Sequence, residues 1–233
     1  MAVVVVTIPG SNCDRDCVAA VVQTGAVARS VFHKEHELPK DTTAVILPGG
    51  FSFGDYLRCG AMAARSNIMG AVHRFVDAGG PVLGICNGFQ ILCETQILPG
   101  ALLRNTDGRF HCEEVELQVV GDSPLLAGYE RTAPGEDGIV VPIAHGEGNY
   151  FADDATLDLL ERERRIAFRY AELDADGHGR VNGARRGIAG IIGGPKRNVI
   201  GMMPHPERRA SALVGGDDGL ALIAAVCSAG RSA

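Results

Sequence analysis

The sequence predicts an α/β fold, with a mostly parallel central sheet, helices on both faces and some antiparallel strands in the second half. Three observations predict it. Short apolar runs alternate with helical patterns through the first half. Later, Val115, Leu117 and Val119 interleave with Glu114, Glu116 and Gln118, the period of a half-exposed antiparallel strand. The 233 residues, 46% of them hydrophobic, are enough to bury one full core, so 1–233 reads as one domain.

In chain order, Ala2 to Ile8 reads as a buried strand, after which Ser11 or Asn12 is placed to cap a helix with Cys17, Val18, Val21 and Val22 on one face. Val27 to Phe32 forms a second strand, and Ala44 to Leu47 a third that ends in Pro48-Gly49-Gly50. A helix is expected from about Ala61 to Ala78, burying Met62, Met69, Val72 and Val76 before Gly79-Gly80 stops it. Val82 to Ile85 is the fourth strand. The later strands are Ile139 to Ala144, Ile166 to Tyr170, Ile188 to Ile192 and Val199 to Met203. A last helix follows Asp217 and turns Leu220, Ile223, Ala224 and Cys227 inward.

Composition narrows the function. With 22 Lys+Arg against 28 Asp+Glu the net charge is −6, and no like-charged tail is present, so nucleic acid is not an expected partner. The start, MAVVVVTIPG, has no basic leader, and its apolar run stops at Ile8, short of a signal peptide or membrane span. A soluble, cytoplasmic protein is expected, with no membrane partner. Seven scattered cysteines fit a reducing compartment rather than a disulfide framework. There is neither a Walker-type loop nor a G-x-G-x-x-G fingerprint, hence no positive sign of nucleotide binding.

The chemistry centres on GICNGFQIL, Gly84 to Leu92. Gly84-Ile85-Cys86-Asn87-Gly88 is the thiol counterpart of the G-x-S-x-G nucleophile elbow, where a strained strand-to-helix turn presents the nucleophile and small flanking residues let neighbouring elements approach. The following helix aims its N-terminus at the sulfur, which favours the thiolate. In GMMPHPERR, His205 and Glu207 stand two apart after an apolar run. In an extended segment both point to one side, and Pro206 biases His205 away from helical angles. Glu207 is then placed to orient His205, the third role of a nucleophile-base-acid triad. LPGGFSFGDYLRCGA supplies a glycine-rich loop after the third strand. The amide of Gly50 or Phe51, with that of Asn87, is a candidate oxyanion hole.

IPGSNCDRD, LPGGFSFGDYLRCGA, GICNGFQIL, LPGALLRN, PIAHGEGNY and GMMPHPERR, spanning Ile8 to Arg209, resemble the class I glutamine amidotransferases, and among them the PurQ-type glutaminase subunits of phosphoribosylformylglycinamidine synthase. The resemblance implies a flavodoxin-like sheet, with Cys86 as nucleophile, His205 as base and acid, and Glu207 as its orienter. It places Gln90 against the glutamine substrate, Gly50 and Asn87 as amide donors, and His145, Gly146 and Glu147 at the substrate or a partner interface. The implied reaction is hydrolysis of glutamine to glutamate and ammonia through a thioester in de novo purine biosynthesis. Ammonia would pass to a synthetase subunit, often joined by a small third subunit, that converts formylglycinamide ribonucleotide to the amidine. ATP and magnesium would belong to that partner, with no cofactor or metal in this chain. The sequence departs from the family pattern at Thr95-Gln96, where glycine often ends the helix, and in the loops at 171–180 and 193–198.

Other clusters carry less. Cys13 and Cys17 stand at i, i+4, but no second pair completes a zinc site, so they read as packing or surface thiols. His111, Cys112, Glu113 and Glu114 alternate across a strand, which separates neighbours. Glu161 to Arg165 reads as a solvated helix end, and Cys59 lacks the elbow context. Alternative functions are a different cysteine hydrolase or peptidase on the same sheet, or a silent regulatory module. The silent module is disfavoured because Cys86, His205 and Glu207 are all present.

Overall fold

The computed structural model describes residues 1–129 and 138–230. Strand β1, Ala2–Thr7, is almost pure valine and nearly wholly buried. It lies between β2, Ala28–Phe32, and β3, Thr42–Leu47, and pairs in parallel with both. Strand β4, Val82–Ile85, follows beside β3, and β11, Val199–Met202, beside β4, again in parallel. Each residue of β4 and β11 is buried, as expected of strands covered on both faces.

Beyond β11 the sheet turns antiparallel through β10, Ile188–Gly193, β9, Ile166–Tyr170, β6, His111–Val119, and β7, Ile139–His145. The nine-stranded order is β2-β1-β3-β4-β11-β10-β9-β6-β7. The mostly parallel sheet with an antiparallel second half agrees with the sequence expectation. Helices α1, Asp14–Gln23, α2, Ile68–Asp77, α3, Asn87–Glu94, α4, Asp154–Arg162, and α5, Leu220–Ala229, pack around it.

The expected long helix over 61–78 is shorter. Ala63–Arg65 makes a single 3₁₀ turn, Ser66 is extended at ψ 145°, and α2 begins only at Ile68. Side chains explain the break: Ser66 Oγ bonds His33 Nδ1 at 3.2 Å, and Asn67 Nδ2 donates to the Lys34 carbonyl at 3.0 Å. Such partners compete with helical continuation, and Met62, expected inside, is 41% exposed.

Neither Ser11 nor Asn12 caps α1, because Cys13 holds the cap position. Ser11 Oγ accepts instead from the Ile8 amide, and Asn12 Oδ1 from the Cys13 thiol, both at 3.3 Å. Val22 faces out at 57% exposure. On α5 the buried face runs through Leu222, Ile223, Val226 and Cys227, with Leu220 and Ala224 only half-buried.

A two-stranded ribbon of β5, Ala101–Leu103, and β8, Asn149–Phe151, covers α3. Tyr150 stacks on Phe89 of α3 at 5.8 Å and donates to the Pro99 carbonyl at 2.9 Å. After α3, Gln96 takes φ +61° at the left-handed position that follows the helix.

Glycines in the sheet admit the helices. A Cβ at Gly201 on β11 would run into Phe89 and lie 2.6 Å from Leu98 Cδ1. Gly201→Ala is expected to destabilise the protein by about 1–3 kcal/mol through overpacking. Gly70→Ala, on α2 with nothing nearer than 3.7 Å, is expected to stabilise it by about 0.4–1 kcal/mol. Thermal or urea unfolding of both variants checks the pair of signs.

Candidate active site

Parallel strands gather their working loops at their carboxyl ends, and here the loops after β1, β3, β4 and β11 meet. Cys86 stands directly after β4 at φ 50°, ψ −104°, and Asn87 opens α3. Such an angle is uncommon for a side-chain-bearing residue and marks a strained turn. The flanking glycines make the turn possible. A Cβ at Gly88 would strike the Leu47 carbonyl of β3, and one at Gly84 would strike Leu92 and lie 2.8 Å from the Gly88 carbonyl oxygen. The elbow read from the sequence is therefore present in its geometry.

His205 and Glu207 follow β11, and Nδ1 of the imidazole lies 2.6 Å from Glu207 Oε1. Both side chains are closed off from solvent, at 1% and 0% exposure. Burial acts against the charged form of His205, but Glu207 and then Cys86 outweigh it and hold its pKa well above the ordinary value. The Nε2 atom makes no hydrogen bond among the described residues, which leaves it available for proton exchange. Gly49 marks where the groups converge. A Cβ there would lie 2.6 Å from His205 Cε1 and 3.3 Å from both Cys86 Cβ and Cys13 Sγ.

The loop amides separate the two oxyanion candidates. Phe51 N–H donates to the Gly10 carbonyl at 2.9 Å, so the Phe51 expectation is corrected: that amide is engaged, and its side chain lines the cleft mouth, 6.3 Å from the Phe110 ring. The Gly50 amide remains, in a backbone at φ 136° whose Cβ would collide with Ser11 and Asn12. The second candidate is Asn87, the first residue of α3, whose amide has no partner within its own helix.

A cleft of about 350 Å³ opens over Cys86 and is lined also by Gly50, Gln90, His145, Gly146 and Glu147. Gln90 is tied at both ends: its Oε1 accepts from Asn87 Nδ2 at 2.9 Å, and its Nε2 donates to the Glu147 carbonyl at 2.8 Å. The His145 ring lies against Gly148, where any Cβ would overlap it. Neither ring nitrogen has a partner among the described residues. Burial, then His205, lowers the His145 pKa to about 3.

Sequence reasoning missed three contributors. Cys13 was read as a packing or surface thiol; it is buried beside the site and accepts from Arg208 Nη2 at 2.9 Å. Its signal was its place just beyond a parallel strand, the same place as Gly49 and Cys86. Asn105 and Asn182 are buried struts for the 145–149 loop. Asn105 Nδ2 donates to the His145 carbonyl at 3.0 Å, and Asn105 Oδ1 accepts from the Gly148 amide at 3.0 Å. Asn182 Nδ2 donates to the Gly148 carbonyl at 2.9 Å. Cys59 lines the cleft, but burial, then Glu147 and Asp55, push its thiol pKa far up, which makes it a poor nucleophile. His111 pairs in register with His145 across β6 and β7, and its ring is taken up by Asp107 at 2.9 Å and Glu113 at 3.1 Å.

The depressed His145 pKa predicts an acid sensitivity. The unfolded side chain takes its proton near 6.5 and the folded one only near 3. Between those values the unfolded chain binds more protons, so stability present above pH 6.5 is lost as the pH falls, by about 1.4 kcal/mol per unit at most. His145→Gln is expected to flatten the fall in urea-unfolding stability between pH 6.5 and 4; parallel curves would contradict this.

The profile of the CobB/CobQ-like glutamine amidotransferase domain matches residues 1–215. The PurQ subunit of phosphoribosylformylglycinamidine synthase from Novosphingobium aromaticivorans is 52% identical over 224 residues, covering 95% of this chain and 94% of the relative. The same subunit from Rubrobacter xylanophilus is 48% identical over 232 residues, covering 99% and 100%. A chain in the structure of PurLQS from Thermotoga maritima matches with TM-score 0.84 and 40% identity over 97% of each chain. The chain belongs to the CobB/CobQ-like glutamine amidotransferase family, in its PurQ branch.

Proposed function

We propose that the chain, acting as one domain, is the glutaminase subunit of phosphoribosylformylglycinamidine synthase in de novo purine biosynthesis, hydrolysing glutamine to glutamate and ammonia. One observation carries the reading: a cysteine on a strained elbow stands beside a buried His205–Glu207 pair in a chain about half identical to PurQ subunits.

Cys86 Sγ attacks the side-chain carboxamide carbon as the thiolate, its proton already held on His205, whose pKa Glu207 and Cys86 keep raised. The amides of Asn87 and Gly50 face the oxyanion that forms. His205, held as imidazolium by Glu207, protonates the departing nitrogen, and ammonia leaves behind a γ-glutamyl thioester. His205 then takes a proton from water, which attacks the thioester. Glutamate leaves and the thiol is restored. Gln90 positions the substrate from one turn beyond Cys86, with Glu147 across the cleft.

Ammonia passes to a synthetase subunit that holds ATP and magnesium, in a complex with a small third subunit. The relatives' names as subunits and the PurLQS assembly support these partners. A cytoplasmic location suits this pathway; no helix among the described residues is long and apolar enough to cross a membrane.

Two variants test the reading in the complex with the synthetase. Cys86→Ala is expected to abolish glutamate release and glutamine-dependent synthesis while leaving synthesis from free ammonium; retained glutaminase activity would contradict the nucleophile. Glu207→Gln is expected to keep the fold and lower turnover by about 10² to 10⁴ fold, and unchanged turnover would show that His205 needs no such orienter. Faster turnover of a simple ester than of glutamine would favour a general hydrolase.

A further inference from the structure

The loop after β3 runs through three left-handed residues in succession, Phe53 at φ 54°, Gly54 at 74° and Asp55 at 53°. Glycine takes this conformation freely, whereas the two others hold it only because surrounding contacts outweigh the strain. The result is to bring Asp55 into the cleft that Cys86, Gln90 and Glu147 also line. There its Oδ1 is buried without a hydrogen-bond partner among the described residues.

This corner of the cleft has an excess of negative charge. Burial raises the Asp55 pKa, a hydrogen bond with Cys59 opposes it, and Glu147 raises it further, with no cation of the described residues among the causes. Cys59 stands beside both carboxyl groups, and burial, Glu147 and Asp55 together push its thiol up, so every ionisable group here disfavours another anion. The nearest arginine in sequence, Arg58, is committed to Glu94 at 2.6 Å. A buried carboxylate oxygen with no partner is costly, and a cationic ligand would relieve it.

The corner is also tied to the nucleophile. The Glu147 carbonyl is held by Gln90, and Gln90 by Asn87, the residue after Cys86. A ligand gripped here therefore has a fixed distance to the thiol. Arg104 and Arg109 line the same cleft and complete a surface of both signs, as a zwitterion needs.

Resting on the glutaminase reading above, we propose that Asp55 receives the α-ammonium group of the substrate, with Glu147 as the second anion of that corner. Asp55 thereby sets the preference of the cleft for an α-amino acid amide over a plain carboxamide. It is a specificity residue, bonding the end of the substrate remote from the reaction.

The test compares glutamine with glutaramate, the same chain of atoms without the α-amino group, using ammonia release by the complex with its synthetase. Asp55→Asn keeps the shape and tolerates the left-handed backbone. It is expected to raise the KM for glutamine about 10- to 100-fold, the effect of losing a hydrogen bond to a charged group, with kcat little changed and glutaramate unaffected. Calorimetric binding of glutamine to Cys86→Ala, with and without Asp55→Asn, is expected to weaken by the same factor. Equal losses on both substrates, or no change in glutamine binding, would overturn the assignment to Asp55. If the unaltered complex releases no ammonia from glutamine, the glutaminase reading itself fails, a result distinct from intact wild-type turnover with an unmoved variant.

Discussion

The turn at Cys86 requires a side-chain-bearing residue to hold φ 50° between a strand and a helix that touch their neighbours through bare glycine backbone. A non-glycine residue in that region costs about 1–3 kcal/mol, and it persists only where packing on all sides leaves no alternative. Here β4 is flanked by β3 and β11, α3 lies against the Leu47 carbonyl through Gly88, and Tyr150 closes α3 from outside. The hydrophobic core thus does more than stabilise the fold. It fixes the nucleophile at one point between the glycine-rich loop and the loop bearing His205.

The electrostatics follow from that placement. A histidine and a glutamate without solvent contact would each be costly to ionise alone; at 2.6 Å they stabilise one another's charge. The same burial acts oppositely on groups without a counter-charge. His145 is driven toward the neutral form and Cys59 toward the protonated thiol. Although Cys13, Cys59 and Cys86 all lie near the loop, only Cys86 combines a place in the cleft lining, an elbow and a basic neighbour.

What was legible in the sequence was local or repeated. The valine run of β1, the alternation in β6 and the glycines around Cys86 each signal through nearest neighbours, and His205-Pro206-Glu207 specifies its own geometry within three residues. Contacts distant along the chain were not legible. The break between Arg65 and Ile68 depends on His33 and Lys34, and the loss of the Phe51 amide as an oxyanion donor depends on Gly10. Cys13 meets Arg208 across almost the whole chain, and Asn105 and Asn182 act on a loop that neither adjoins. The ribbon of β5 and β8, three residues each, is too short for periodicity to detect. Helix α4 did carry a signal, because Asp153 caps it by accepting from the Thr156 amide at 2.8 Å.

The central claim is that the strained Cys86 becomes covalently acylated during turnover. Acid-quenching the complex while it consumes glutamine, followed by peptide mass spectrometry, measures this directly. The account predicts a γ-glutamyl adduct on the peptide carrying Cys86, increased when deacylation is slowed by Glu207→Gln. An adduct on the peptide of Cys13 or Cys59, or turnover with no adduct on any cysteine under conditions that slow deacylation, would contradict it.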